Sequence, residues 1–233
     1  MHYVISDIHG CYDLFRRLLE KLAFSDRDLL YFLGDAADRG PEGIAVMQDL
    51  MRRGNAVCLL GNHEDMFRTC ARGYGKRLRW SEREAYRRSV RNWTLRNGGQ
   101  ITWDAWTSLP ERERQELLDW MESLPSWQEL TVNGVDFLLS HAGVGAWAPE
   151  KDLKSCELYD FIWERMDYDR VYYKNKLLVT GHTPTFFIDR SRAGQIIMQN
   201  NHIALDCGAV YTGTLGCLCL ETLECCYCSK DEL

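Results

Sequence analysis

The sequence predicts an α/β fold with a parallel-stranded core, and two observations carry that expectation. Short apolar runs recur at lengths suited to strands buried on both faces, at 3–5, 29–33, 56–60, 137–139 and 177–179. Between the first three lie segments with a single apolar stripe at helical spacing, so each offers one face to lay on a sheet. Strand and helix alternating in this way read as a βαβαβ start.

Taken in order, the run Tyr3-Val4-Ile5 precedes Leu14, Leu18 and Leu22, which recur every four residues and predict the first helix. The run 29–33 leads to a second helix with Ile44, Met47, Leu50 and Met51 on one side and Pro41 in its first turn, where a missing N–H costs nothing. The run 56–60 closes the unit. From about 66 to 123 the strand signal lapses and a helical insertion is expected, clearest at 111–121. Nine basic and two acidic residues fall between Arg72 and Arg96, a local surplus of +7, so the remainder carries −13. After Trp127 strands return, with short ones expected at 196–199, 203–206, 214–221 and 225–228. No repeat or linker interrupts the chain, and residues 1–233 are read as one domain carrying that insertion.

A chain of 233 residues, 45% hydrophobic and 27% charged with five prolines, can bury a sizeable core, which excludes a disordered or fibrous protein. No apolar run approaches the roughly 18 residues of a membrane span, and nothing before Asp7 resembles a signal peptide. The expected location is the cytoplasm, with no membrane partner and the ten cysteines as free thiols. The net charge of −6 argues against a general nucleic-acid binder. The terminal Lys230-Asp231-Glu232-Leu233 spells an endoplasmic-reticulum retention address, read here as coincidental because it acts only inside the secretory pathway.

The chemistry lies in the segments directly after the apolar runs: Ser6-Asp7-Ile8-His9-Gly10, Gly34-Asp35-Ala36-Ala37-Asp38-Arg39-Gly40, Gly61-Asn62-His63-Glu64, Ser140-His141-Ala142-Gly143 and Gly181-His182-Thr183-Pro184. Each places Asp, Asn or His at the carboxyl end of a strand, the edge where open α/β sheets bind ligands. Four of the six histidines fall in these loops. Asp and His ligate Mn²⁺, Fe²⁺ and Zn²⁺, and Asn adds a neutral oxygen. The six candidates Asp7, His9, Asp35, Asn62, His141 and His182 are too many for one ion and suit two metals about 3.5–4 Å apart sharing a carboxylate. Two divalent cations against two aspartates leave roughly +2, enough to draw in a phosphoryl dianion and to acidify a bridging water.

These five motifs, in this order, resemble the phosphoprotein phosphatase family of calcineurin-like metallophosphoesterases, most of all its compact bacterial and bacteriophage serine/threonine protein phosphatases. The resemblance runs from Ser6 to Pro184, echoes weakly in Asp206-Cys207-Gly208-Ala209-Val210-Tyr211, and leaves the insertion uncovered. It implies a sandwich of two mixed β-sheets flanked by helices. It also implies that Asp7, His9 and bridging Asp35 hold one metal, and Asp35, Asn62, His141 and His182 the other, with Mn²⁺ the first expectation and Fe or Zn the substitutes. A hydroxide bridging the metals would attack the phosphorus, and His63, oriented by Asp38, would protonate the leaving oxygen. Arg39 and Arg165 would grip the phosphate, Arg39 as a bidentate donor. Ser6 stands where the family commonly has Gly, and Ala36-Ala37 where bulkier residues are frequent. Both departures bear on substrate preference.

The activity expected first is therefore phosphomonoester hydrolysis on phosphorylated proteins or peptides. The rival is symmetrical dinucleoside tetraphosphate hydrolysis, in which a phosphorylated nucleotide is the partner, since those enzymes share an opening like 7–11. Asp38 and Glu64 tilt the reading to the protein phosphatases, and a phosphate-binding scaffold without turnover ranks last because His63 and Asp38 are both retained. Singly, each loop also reads as a capping turn, Asp38-Arg39-Gly40-Pro41 included. The basic insertion reads equally as a solvated face and as a wall that steers acidic substrates inward. Cys217, Cys219, Cys225, Cys226 and Cys228 lack zinc-knuckle spacing and are read as strand packing, and no phosphate-cradling loop surrounds Cys11. His2 and His202 receive no role.

Overall fold

The computed structural model describes residues 1–145 and 152–232. Leu233, the last residue of the retention-like address, lies outside them.

β1 (His2–Ile5), α1 (Tyr12–Lys21), β2 (Leu29–Phe32), α2 (Gly43–Arg52) and β3 (Ala56–Cys58) alternate as the sequence predicts. The three strands pair in parallel, β1 with β2 and β2 with β3. Neighbouring side chains on these strands point to opposite faces, and both faces are covered. Ile5, Leu30 and Phe32 pack with Leu14, Phe15 and Leu18 of α1 and with Val46 and Met47 of α2. Val4, Tyr31 and Leu33 instead meet the second sheet. That double burial is why the strands read as unbroken apolar runs. Pro41 departs from expectation, because α2 begins at Gly43 behind Glu42. The amides of Gly40 and Glu42 donate to His9 O and Gly10 O, which ties 40–42 to the first loop and delays the helix.

The insertion forms α3 (Asn62–Gly73), α4 (Trp80–Arg96), α5 (Gln100–Thr107) and α6 (Glu111–Ser123). It buries Phe67, Trp93, Trp106, Leu117 and Met121 into the helix-side core. The second sheet comes next: β4 (Trp127–Val132), β5 (Val135–Ser140), α7 (Leu158–Ile162), β6 (Lys176–Thr180), α8 (Thr185–Ile188), β7 (Ile197–Gln199) and β8 (His202–Ala204). Its order is β4-β5-β6-β8-β7, with β5, β6 and β8 parallel and both edges antiparallel. Asn133 and Gly134, both at positive φ, make the tight turn between β4 and β5.

After α9 (Ala209–Thr212), β9 (Thr214–Cys219) and β10 (Cys225–Ser229) return to the first sheet, whose order is β10-β9-β1-β2-β3. The result is two mixed five-stranded sheets face to face, with Phe137, Leu139, Val179 and Ile203 of one filling the space against Val4, Leu33 and Leu59 of the other. Cys217 and Cys228 pack into the helix-side core, Cys207 lies between the sheets, and all ten cysteines are free. Among the described residues, no helix is long and apolar enough to cross a membrane.

Candidate active site

The five strand-end loops converge at one end of the sandwich, and unusual backbone geometry brings them there. Asp7, His9, Asp35, Asp38, Arg39 and His182 all have φ between 45° and 71°, a region that costs an L-residue about 1–2 kcal/mol. Cross-loop hydrogen bonds hold them in it: the amides of Asp7, His9 and Gly10 donate to the carbonyls of Gly34, Asp35 and Ala36. Two glycines permit the approach. A Cβ on Gly34 would lie 2.5 Å from Gly61 N, and one on Gly181 would lie 2.2 Å from Asp7 Oδ2.

Glu64 fastens the second and third loops together. Its buried carboxylate accepts from the amides of Asp35 (2.7 Å), Ala36 (2.8 Å) and Gly61 (3.2 Å). Burial pushes this carboxyl up to about 7, while the bonds to the Asp35, Ala36 and Ala37 amides oppose the rise. Ala36 and Ala37, where the sequence departs from the family, are fully buried, and a Cβ on Gly43 would come within 2.9 Å of Ala37 Cα, so helix α2 packs tightly beside the loop.

Asp35 stands at the centre of the cluster. Its Oδ2 lies 3.5 Å from His9 Nε2 and 3.8 Å from His63 Nε2, and its Oδ1 lies 3.5 Å from His141 Nε2. Two groups able to hold a cation share it, His9-Asp35-His63 and Asp35-His141-His182. His9 Nδ1–H donates to Ala37 O (2.8 Å) and His141 Nδ1–H to Leu33 O (2.9 Å), so both Nε2 lone pairs face inward. Asn62 Oδ1 lies 2.9 Å from His141 Nε2 and 3.0 Å from His182 Nδ1. Asp35, Asn62 and His141 thus turn oxygen and nitrogen acceptor atoms toward one another, an arrangement that a divalent cation satisfies.

The ionisation of the cluster points the same way. Burial, with Asp7 and Glu64 adding to it, holds the Asp35 carboxyl well above its usual range. Burial also holds His9 and His141 below theirs and takes His182 down to about 2, with His141 beside it as the next cause. The imidazoles are kept neutral, the form that binds metal.

Asp7 is placed differently from the other expected ligands. Its Oδ2 accepts from His182 N (3.0 Å) and from Ser6 Oγ, at the seam between the first and fifth loops rather than inside either triad. Buried Asp206 joins it there: burial and the neighbouring Asp7 hold the Asp206 carboxyl well above its ordinary value, and its Oδ1 accepts from Gly208 N at 2.8 Å.

His63 and Asp38 form a buried pair, Nδ1 to Oδ2 at 2.6 Å. Two residues that sequence reasoning missed hold Asp38: Trp93 Nε1–H donates to the same Oδ2 at 2.5 Å, and Thr102 Oγ1 accepts from Asp38 N at 2.9 Å. Both come from the insertion, whose turn at Gly98 also accepts from Arg39 N. Burial pushes Asp38 up to about 7 against these bonds, and burial together with Arg39 holds His63 well below its usual value. Arg39 reaches across the centre, donating to His9 Nε2 (2.5 Å) and His63 Nε2 (2.9 Å). Arg165 sits at the rim, exposed, donating to Thr183 Oγ1 at 3.2 Å beside His182. All ten residues expected from the sequence therefore lie in or beside one site, with Asp7 and Arg165 at its edges.

A family model described as calcineurin-like phosphoesterase matches residues 3–186. The chain belongs to that family. This calcineurin-like phosphoesterase is accordingly a metallophosphoesterase hydrolase, in a family that uses divalent metals. Over 145 residues it is 37% identical to a symmetrical bis(5'-nucleosyl)-tetraphosphatase of Delftia acidovorans, an overlap of 61% of this chain and 44% of that protein. The chain thus spans about half the length of the curated relatives it matches. Among solved structures, a protein provisionally named a diadenosine tetraphosphatase superposes with a TM-score of 0.67 at 19% identity, covering 98% of this chain and 92% of that one. A serine/threonine phosphatase from Saccharomyces cerevisiae superposes at 0.59 and 13% identity, covering 98% and 79%. These two likenesses establish the fold.

Proposed function

We propose that this phosphoesterase hydrolyses dinucleoside tetraphosphates symmetrically, in the cytoplasm, where its ten free thiols are stable. The observation that carries the reading is the 37% identity to a relative bearing that name, over an overlap that exceeds half of this chain. This reverses the order of the two activities weighed from the sequence.

In this reading His9 and Asp35, joined by Asp7 from the seam between the first and fifth loops, would hold one divalent cation, and Asp35, Asn62, His141 and His182 the other. His63 belongs to the first triad by distance and is reserved for acid catalysis because Asp38 claims its Nδ1. Mn²⁺ suits this mix of imidazole, carboxylate and amide oxygen, as do Fe and Zn. Two such cations supply charge for the phosphoryl oxygens and a lowered pKa for an attacking water. Arg39 at the centre and Arg165 at the rim would bind and orient phosphate oxygens. The Asp38 carboxylate holds the His63 ring through Nδ1 and would favour its protonated form, so that once Arg39 turns from Nε2 to the phosphate, the protonated Nε2 would give its proton to the leaving oxygen.

One observation favours phosphoprotein hydrolysis as the second reading. The buried Asp38-His63 pair is completely assembled, and an alkoxide leaving group needs a proton more than a nucleoside diphosphate does. The experiment is a side-by-side assay of the Mn²⁺-supplemented protein on diadenosine tetraphosphate and on phosphoserine, phosphothreonine and phosphotyrosine peptides. Higher kcat/KM on the dinucleotide, with ADP as sole nucleotide product, is expected. Preference for a phosphopeptide would put the second reading first.

A further inference from the structure

Two exposed aromatic rings border the site, one against each arginine. Tyr211, at the end of α9, is 62% exposed, and its ring centroid lies 5.8 Å from the Arg39 guanidinium carbon. Phe187, in α8, is 69% exposed and lies 6.0 Å from that of Arg165. Phe186 joins them, its ring 4.5 Å from Phe187 and 6.0 Å from Tyr211. Gly208 lets this middle ring lie close: a Cβ there would sit 2.9 Å from Phe186 Cε1.

Large apolar rings at such exposure lose the free energy that burial would give them, so the core does not account for them. They form a strip that starts beside the guanidinium touching His9 and His63 and ends beside the one at Thr183. Cationic groups that track a phosphate chain, interleaved with aromatic faces, are what binds a nucleotide: arginine takes the phosphates and the ring stacks the base.

We infer that Phe187, Phe186 and Tyr211 form a platform on which a nucleobase stacks while Arg39 and Arg165 hold the attached phosphates. This rests on the dinucleotide reading and adds to it the residues that read the base. A base is a flat ring carried one sugar away from its phosphates, so a chain of phosphates anchored at either arginine brings it over the adjoining ring. A phosphoserine or phosphothreonine peptide carries no such ring at fixed reach.

The test compares two probes that differ only by the nucleoside. Dissociation constants for ADP and for inorganic pyrophosphate are measured by titration calorimetry on the Mn²⁺-supplemented protein, and their ratio is taken within each variant. Base stacking gives wild type a preference for ADP of about 5- to 150-fold. Phe187→Ala and Tyr211→Ala should each draw the ratio toward one, while Phe187→Tyr and Tyr211→Phe should keep it. A wild-type ratio near one, or a ratio unmoved by both alanine variants, overturns the platform. If the ratio behaves as expected but diadenosine tetraphosphate is not cleaved, the platform stands and the dinucleotide reading falls. If the dinucleotide is cleaved with the same kcat/KM by wild type and both alanine variants, the platform falls and the reading stands.

Discussion

Trp93→Phe isolates what the helical insertion does for catalysis. The substitution keeps a ring where Trp93 stacks on Phe67 at 5.1 Å and removes the indole N–H that donates to Asp38 Oδ2. Asp38 is fully buried, its Oδ1 has no hydrogen-bond partner among the described residues, and burial already pushes its carboxyl up to about 7. Losing one of the two donors on Oδ2 therefore favours protonation of Asp38 and loosens its hold on His63. A hydrogen bond to a charged group is worth about 1.5–3 kcal/mol, so acid catalysis should weaken by about 10- to 150-fold. The assay is kcat on p-nitrophenyl phosphate and on phenyl phosphate, whose leaving groups need little and much protonation respectively. The predicted result is a loss several-fold larger on phenyl phosphate. Equal losses on both substrates, whatever their size, would mean that Trp93 only stabilises the fold and that the insertion does not position the acid.

The remaining predictions probe other parts of the molecule. Glu64→Gln keeps the shape but turns one of two accepting oxygens into a donor facing the amides of the second and third loops. It should cost about 1–3 kcal/mol, seen as a fall in Tm, and an unchanged Tm would contradict the fastening role. His202, buried and bonded through Nε2 to Thr180, has its pKa taken down to about 4 by burial. The unfolded chain thus binds this proton near pH 6.5 and the folded chain resists it, so the stability from neutral His202 is present above pH 6.5 and declines toward pH 4, by about 3 kcal/mol. Denaturant titrations at pH 7.5 and 4.5 should show a shallower decline in His202→Gln, and identical declines would refute the assignment. Converting Arg87, Arg88 and Arg91, all exposed on α4, to Gln should raise KM for diadenosine tetraphosphate more than for p-nitrophenyl phosphate. Equal changes would reduce that face to a solvated one.

Much of this was legible because parallel strands buried on both sides leave continuous apolar runs, and the chemistry sits directly after each. Asp35, His141 and His182 could be read from position alone, since a strand end is a fixed place on the sheet. Trp93 and Thr102 could not. Each reaches Asp38 from 55 or 64 residues away by a hydrogen bond that leaves no local pattern, and Trp93 is one buried ring on a mostly exposed helix. The Asn97-Gly98-Gly99 turn was the available signal, because a sharp turn ending a basic helix marks a close approach to something, here Arg39. From the sequence Glu64 reads only as a family trait, and its actual work, accepting amides from two loops, is visible only once the loops are assembled. Pro41 stands before the helix instead of in its first turn for the same reason: the tie between the Gly40 and Glu42 amides and the first loop is tertiary.

The central claim is that Asp35 lies between two cations, and the most direct measurement is metal content together with electron paramagnetic resonance of Mn²⁺-loaded, desalted protein. Two Mn²⁺ per chain with a spin-coupled spectrum, replaced in Asp35→Asn by an uncoupled signal or lost metal, is the predicted result. One magnetically isolated ion per wild-type chain, or two uncoupled ones, would contradict it.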